Sequence, residues 1–166
     1  MKAREVFKDC EYAKVCLQRA IDENRFEDAK LFWFAALAML RAIGHVLRNV
    51  DAKQHGDNFR DALEYRFKLW KQDPIFMNFI ERERNNILKE YESSLSEQAT
   101  TDEFYLLTES GDRLVTESGD ALVGTTTITT LVKGNGVYSG TSPADALTRA
   151  LAWWDIQLSE FEEIST

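Results

Sequence analysis

The ten consecutive apolar residues "LFWFAALAML", residues 31–40, constrain the fold of this chain more than any other segment. They lie within residues 27–50, which predict one helix of roughly 36 Å at 1.5 Å per residue. A helix that is apolar on every side must be covered on every side, either at the centre of a bundle or by a second subunit. The run ends at Arg41 and is shorter than the ~20 residues that cross a bilayer, so we predict a core helix.

The segments on either side of this helix repeat apolar residues at spacings of three and four, the period of a helix packed on one face. They predict a first helix over about residues 4–23, a short third over residues 59–70, a fourth from Pro74 to about Leu95 and a last over residues 142–164. The chain has only two prolines and eight glycines, which favours long regular elements. The apolar stripe of the last helix is Leu147, Leu151, Trp154, Leu158 and Phe161.

Between the fourth and last helices the sequence changes its period. "LLTESGD" at residues 106–112 returns as "LVTESGD" at residues 114–120, and a stretch rich in β-branched residues follows. Ser-Gly and Asn-Gly pairs supply turn signals, so we predict an antiparallel hairpin or meander over residues 104–139. The acids of the repeat have two interpretations, paired carboxylates that hold a metal or share a proton and solvated turn residues, and we favour the second. These acids are Glu109, Asp112, Glu117 and Asp120.

The predicted fold class is therefore mainly α (α+β), an up-down bundle of four to five helices with a small β insert before the C-terminal helix. We predict a single domain over residues 1–166, with a helical core at 1–98, the insert at 104–139 and a closing helix at 142–164. Cys10 and Cys16 fit neither a zinc site nor a disulfide framework and are interpreted as small buried apolar residues. We expect no metal and no cofactor. The N-terminus carries no apolar signal segment, so we expect a cytoplasmic protein without a membrane partner.

The charge of the chain is uneven. The net charge is −8, but residues 53–89 carry +2 and residues 90–166 carry −11. A local basic face is thus compatible with an acidic chain, although the overall field opposes the approach of a nucleic acid.

The segment "FIERERNNILKEY", residues 79–91, places a cation on an apolar stripe. Ile80, Ile87 and Tyr91 form the stripe, and Arg84 lies four residues after the first and three before the second. Arginine is seldom fully buried without a partner. Arg84 is therefore either a buried residue held by a carboxylate of another helix or a functional cation.

The order of these segments resembles a known family. The long helix "LFWFAALAMLRAIGHVL", the aromatic and basic helix ending "FKLWKQDP" and the helix "IFMNFIERERNNILKEY" resemble the HEPN superfamily, whose bundles carry an Arg-Asn-x-x-x-His signature. Its first two residues fall on Arg84 and Asn85, and its histidine falls on Lys89. The resemblance covers about residues 4–95 and the last helix but not the insert. The "TESGD" repeats also resemble hairpin ends of some phage-encoded proteins.

The HEPN resemblance implies metal-independent RNA cleavage at a dimer interface, where the 2′-hydroxyl attacks its neighbouring phosphate. The arginine clamps the phosphate, the histidine moves a proton and the asparagine orients the pair. Lysine in place of histidine is a poor proton shuttle at neutral pH, because an ammonium titrates near ~10.4 without neighbours. Lysine still binds phosphate.

Arg84, Asn85 and Lys89 are thus a degenerate catalytic set, and Arg82, Arg84 and Lys89 are candidate phosphate ligands. Arg41 and His45, one helical turn apart, are auxiliary candidates, and His45 is a candidate replacement proton carrier. His45 as a core-edge residue with a hydrogen-bonded ring is the structural alternative.

We therefore expect a HEPN-like, non-catalytic module of a mobile-element or defence system that binds RNA phosphate or another protein. One alternative is a metal-independent endoribonuclease with a composite site in a homodimer. A second is a structural dimer without nucleic acid. The expected partners are a second copy of the chain, RNA and an antitoxin-like protein of a toxin–antitoxin pair.

Overall fold

The computed structural model describes residues 1–164 and is mainly helical. Two segments, Leu47–Asp51 and Phe76–Glu81, are π-helical. The antiparallel strands form a two-stranded sheet before the C-terminal helix, which confirms the predicted fold class. The elements are α1 (Lys2–Asp22), α2 (Phe26–Val46), α3 (Ala52–Gln54), α4 (Asp57–Trp70), α5 (Arg82–Glu90), β1 (Leu95–Tyr105), β2 (Val123–Lys133) and α6 (Pro143–Ile164).

The chain divides into two compact units. The helical unit comprises Met1–Ser96 and the chain from Leu131 onward, and the hairpin unit comprises Glu97–Thr130. Helices α1, α2, α4 and α6 lie within four residues of their predicted bounds, because each has an apolar face with a helical period. All five predicted apolar positions of α6 are buried.

The apolar run of α2 is not covered on every side within one chain. Leu31 is 61% exposed and Ala38 is exposed, so a strip of this helix faces away from the core. Of the two predicted ways to cover this run, the helices of one chain provide only part, because α1, α5 and α6 contact only part of the helix surface. The buried residues of the run are Trp33, Ala36, Leu37 and Leu40. By length and composition the helix Phe26–Gln54 could also cross a membrane, a test that the core helix of a soluble protein passes equally.

The N-terminus of α1 is capped by a residue from a distant part of the chain. Asp51 is fully buried, and its carboxylate accepts hydrogen bonds from the backbone amides of Lys2 (2.7 Å) and Ala3 (2.9 Å). The first amides of a helix lack partners within the helix, so this carboxylate satisfies them and complements the helix dipole. Asp51 thereby joins α1 to the π-helical turn after α2.

An aromatic cluster fixes α4 against α2 and α6. Trp70 packs edge-on against Trp154, with 5.2 Å between ring centroids, and its indole nitrogen donates to Gln157. Gly44 of α2 lets Trp154 approach, since a Cβ at Gly44 would lie 3.0 Å from the indole ring. The cluster therefore sets the position of α4 beside the polar face of α2.

The predicted fourth helix, which contains α5, ends earlier than expected. It was expected to reach Leu95, but α5 ends at Glu90, Tyr91 adopts a left-handed conformation (φ 52°), and Leu95 begins β1. The insert therefore starts before the predicted residue 104. Most of β1 is exposed and polar, so its sequence carries no alternation of buried and exposed residues from which a strand could be predicted.

Each "TESGD" segment forms the same tight turn. Gly111 (φ 89°) and Gly119 (φ 90°) adopt a conformation that other residues avoid, and each donates to the carbonyl three residues before it. The Asp112 carboxylate accepts a hydrogen bond from the Ser110 hydroxyl at 3.0 Å, and the second repeat copies this bond at 2.8 Å. This geometry favours the turn interpretation of the acids.

Three leucines spaced by eight residues close a ring of backbone hydrogen bonds. The Leu114 amide donates to the Leu106 carbonyl (2.8 Å), the Leu122 amide to Leu114 (2.8 Å), and the Leu106 amide to Leu122 (3.0 Å). Only the first two leucines begin a "TESGD" repeat. The third closes the ring and continues directly into β2.

Candidate functional site

The buried charge of the "ERERNN" motif is Glu83, not Arg84. Glu83 is 2% exposed, and its carboxylate accepts hydrogen bonds from Lys133 Nζ (2.7 Å) and Ser94 Oγ (2.5 Å). The π-helical segment before α5 has a wider turn than an α-helix, which shifts the phase of the residues after it. The inward face of α5 is therefore centred on Glu83, and the predicted salt bridge of a buried Arg84 is absent from residues 1–164.

Arg84 instead lies half-buried at the surface of the helical unit. It lines a concavity of about 320 Å³, here called the Arg84 pocket, and Nη1 donates to the Asn85 side-chain oxygen at 3.0 Å. Arg84 forms no ion pair with any residue in the described range 1–164. Its remaining N–H groups are thus available to an anion. The lining residues are Ala38, Arg41, Ala42, His45, Arg84 and Leu88.

Arg41 is held at the wall of the pocket by an acid. Its Nε lies 2.8 Å from Glu81 Oε1, an ion pair between partly exposed side chains in which Nε–H does not form a hydrogen bond. Glu81 is the last residue of the second π-helical segment. Glu81 forms an ion pair with Arg41, whereas Arg84 forms none within residues 1–164, so the pocket keeps a positive charge.

His45 contributes an exposed imidazole whose tautomer is set by Asn49. The Asn49 side-chain nitrogen donates to the His45 carbonyl (2.9 Å) and lies 3.2 Å from its Nδ1. A backbone carbonyl can only accept, so the atom facing both groups is the amide NH₂, and Nδ1 is the acceptor. In the neutral ring the proton is then on Nε2.

The structure brings some of the predicted site residues together and separates others. Arg41, His45 and Arg84 meet in one pocket, and Asn85 contacts Arg84. Lys89 and Arg82 are exposed, and neither lines the pocket. Lys89 follows Arg84 by five residues, about 140° around an α-helix, so the two side chains leave α5 in different directions.

Sequence reasoning missed the neighbouring basic surface at the end of α2 and on the π-helical segment that follows it. A second concavity of about 330 Å³, the middle pocket, adjoins the Arg84 pocket through the shared residues Arg41 and His45. Arg48 follows His45 by three residues on the same face, and this spacing was the available signal. The middle pocket is lined by Arg41, Gly44, His45, Arg48, Asn49 and Phe67.

The cysteines lie apart from this surface. Burial raises the pKa of the Cys10 thiol to about 12, and its sulfur donates to the Ala36 carbonyl at 3.4 Å. Cys16 is half-buried, and both are free thiols. Within residues 1–164 no group of three or more His, Cys, Asp or Glu side chains is arranged to hold a metal.

Comparison of the chain with protein-family models, with curated proteins and with solved structures found no match.

Proposed function

We propose that this protein is a HEPN-like RNA-binding module that holds backbone phosphates in the Arg84 pocket and does not cleave them. The observation that supports the proposal is the convergence of Arg41, His45 and Arg84, from two helices, around one open concavity. Anions are bound where such cations converge, and arginine binds phosphate through two parallel hydrogen bonds.

The half-buried position of Arg84 favours binding over a merely solvated charge. Asn85 fixes one end of its guanidinium, so less side-chain freedom is lost when a ligand binds. Partial burial also reduces solvent screening of its charge. The exposed Arg82 of the same helix has neither property.

The position of Lys89 favours binding without cleavage. The residue that aligns with the histidine of the family signature lies outside the pocket. A general acid or base must come within hydrogen-bonding reach of the proton that it moves. A metal-independent endoribonuclease is the second candidate function, and it depends on His45, whose imidazole does lie in the pocket.

A homodimer belongs to the same proposal. Leu88, at the edge of the Arg84 pocket, is 62% exposed, and Leu31 on the uncovered strip of α2 is 61% exposed. Pairing of these surfaces would shield apolar area and bring two pockets together. Light scattering over micromolar concentrations tests this, and Leu88→Glu should give a monomer if the surface is the interface. A wild-type protein that stays monomeric would contradict the homodimer, and each Arg84 pocket would then bind its ligand independently.

The biological role that we propose is a cytoplasmic component of a mobile-element or defence system, with an antitoxin-like protein as a further partner. Co-purification of the chain with the products of neighbouring genes tests this part.

Fluorescence anisotropy with labelled single-stranded RNA, repeated over a series of salt concentrations, tests the binding proposal. Arg84→Ala should weaken binding by about tenfold, since hydrogen bonds to charged groups contribute roughly 1.5–3 kcal/mol. Arg82→Ala is the matched control, because it removes the same charge from the same helix outside the pocket. Equal losses for the two variants would reject the Arg84 pocket as the site.

A further inference from the structure

A third concavity in the helical unit carries the highest density of unpaired cations near the proposed site. It has a volume of about 330 Å³ and lies between α4 and the segment that follows α2. Four of its lining residues are basic and one, Glu64, is acidic. We call it the Lys71 pocket, lined by Arg48, Asn49, Ala52, Arg60, Leu63, Glu64, Phe67, Lys68 and Lys71.

The cations reach this pocket because of their spacing on α4. Arg60, Lys68 and Lys71 lie eight and three residues apart, so they share one helical face. Beneath them Leu63 is buried and forms an apolar floor. Arg60 pairs with Asp57 in an exposed contact of the kind that contributes little.

The three other cations of the pocket have no acidic partner. Arg48, Lys68 and Lys71 form no ion pair with any described residue between 1 and 164. Arg66 on another face of α4 is by contrast paired with Glu160 at 2.8 Å. Three unpaired positive charges around one cavity attract an anion with more than one charge.

The middle pocket lies between the Lys71 pocket and the Arg84 pocket and shares lining residues with both. It shares Arg48, Asn49 and Phe67 with the Lys71 pocket, and Arg41 and His45 with the Arg84 pocket. From Arg41 to Ala52 the groove follows the helix for roughly 16 Å. Phosphates of one stacked strand are about 3.4 Å apart along the axis, so this length accommodates several of them.

Phe67 and Arg48 lie at the middle of this groove, where both line the Lys71 pocket and the middle pocket. The Arg48 guanidinium lies 5.6 Å from the centre of the Phe67 ring, within cation–π distance. A guanidinium plane supported in this way is a surface on which an unpaired base stacks. The bases of a duplex are already stacked and paired, so this surface favours a single strand over a duplex.

We propose that the three pockets form one binding groove for a single nucleic-acid strand, which enters at Arg84 and continues over Arg48 to Lys68 and Lys71. The proposal rests on the proposed function for the identity of the ligand as RNA. It adds the path of the strand and a minimum ligand length of about four nucleotides. It also adds four contact residues outside the family signature, Arg48, Phe67, Lys68 and Lys71.

The test uses the full-length protein and labelled oligouridines of increasing length, from two to about eight nucleotides, a span within the site sizes of single-strand binders. Affinity should increase with length and then level off once the groove is filled. The double variant Lys68→Ala/Lys71→Ala should weaken binding of the longest oligomer by about fivefold and leave the dinucleotide unaffected. Lys8→Ala/Lys53→Ala is the matched control, because it also removes two positive charges and neither of these exposed lysines lines any of the three pockets.

The salt dependence gives an independent measure of the contacts. For a single strand the slope of log affinity against log salt is about −0.7 per phosphate contact, so loss of two contacts in the double variant should reduce its magnitude by about 1.4. An unchanged slope and affinity in the double variant would overturn the extended groove.

Failure of the extended groove can be distinguished from failure of the proposed function. Loss of binding in Arg84→Ala with no effect of Lys68→Ala/Lys71→Ala would confine the ligand to the Arg84 pocket and reject the extension. The reverse result would reject the Arg84 pocket and the strand path together.

Discussion

Lys133 and Glu83 form a buried ion pair that joins the end of β2 to the helix carrying Arg84. The Nζ–Oε1 distance is 2.7 Å, and the two side chains are 0% and 2% exposed. Ser94 and the Asn135 carbonyl complete the hydrogen bonds of the pair. The charge that the helix motif buries is therefore structural, and Arg84, the cation next to it in sequence, has no ion pair within residues 1–164.

Removal of one partner of this pair should be strongly destabilising. We expect Lys133→Met to lower the free energy of unfolding by roughly 3–5 kcal/mol, because it leaves a buried carboxylate without its cation. The double variant Lys133→Met/Glu83→Leu should recover most of the loss. Urea unfolding measures both, and the exposed Lys89→Met should change stability by less than about 0.5 kcal/mol. A loss of less than about 1 kcal/mol in Lys133→Met would contradict this prediction and show that water readily solvates Glu83.

Asp51→Ala should destabilise the protein through the start of α1. The change removes the acceptor for two backbone amides and leaves them buried, at a cost of roughly 1–3 kcal/mol. Hydrogen exchange should show the loss of protection concentrated in the first turn of α1. Asp9→Ala, an exposed acid later in the same helix, is the control, and equal effects of the two changes would contradict the cap.

The cysteines should differ in reactivity and in their effect at high pH. In the native protein at pH 8, iodoacetamide should modify Cys16 and leave the buried Cys10 unmodified, and mass spectrometry of peptides measures this. The pKa of Cys10 is raised in the folded state, so its contribution to stability is complete below the ordinary thiol value of 9.0 and is lost as the pH rises toward about 12. Cys10→Ala should reduce this alkaline loss, and an identical pH profile would contradict the assignment.

Cleavage assays should separate His45 from Lys89. We expect little or no metal-independent cleavage of single-stranded RNA at neutral pH. Any residual activity should be lost in His45→Ala and kept in Lys89→Ala, because only the imidazole lies in the Arg84 pocket. Lys89→His should not create activity. Strong cleavage by the wild-type protein that requires Lys89 would contradict the non-catalytic proposal.

The two repeat glycines should be equally sensitive to substitution. Gly111→Ala and Gly119→Ala each place a Cβ in the left-handed region, at a cost of about 1–2 kcal/mol to the local turn. Exchange of the Leu114 and Leu122 amides should accelerate. Gly134→Ala is not an equivalent control, because a Cβ there meets the Ser96 side chain at 2.8 Å, whereas both repeat glycines face open space. Unequal responses would show that the two turns are not structurally equivalent.

The helices could be predicted from sequence because burial follows a regular period along each of them, and the stripe of α6 is the clearest case. The sequence left open whether Arg84 is buried, and the structure shows it half-buried, because a π-helical segment shifts the phase within the motif and no residue type marks such a segment. Strand β1 was missed because it is ordered by pairing with β2 and not by a buried face.

The site was predictable only in part. Arg41 and His45 were identified from their common helical face, and the structure places Arg84 beside them. The contribution of α4 depends on packing between helices, in particular the approach of Trp154 to Gly44. Spacing within one segment contains no information on such contacts.

The ring of Leu106, Leu114 and Leu122 has a consequence for how the hairpin can change in length. Two sides of the ring each span one eight-residue unit, the third is the bond between Leu106 and Leu122, and the pairing of β1 with β2 begins only where the ring closes. Gain or loss of one whole unit therefore changes the number of leucines in the ring and leaves the pairing of β1 with β2 intact. A change of any other length would break the eight-residue spacing of the leucine amides and carbonyls that form the ring. The tip can therefore change in length by whole repeats while the sequences of β1 and β2 stay the same.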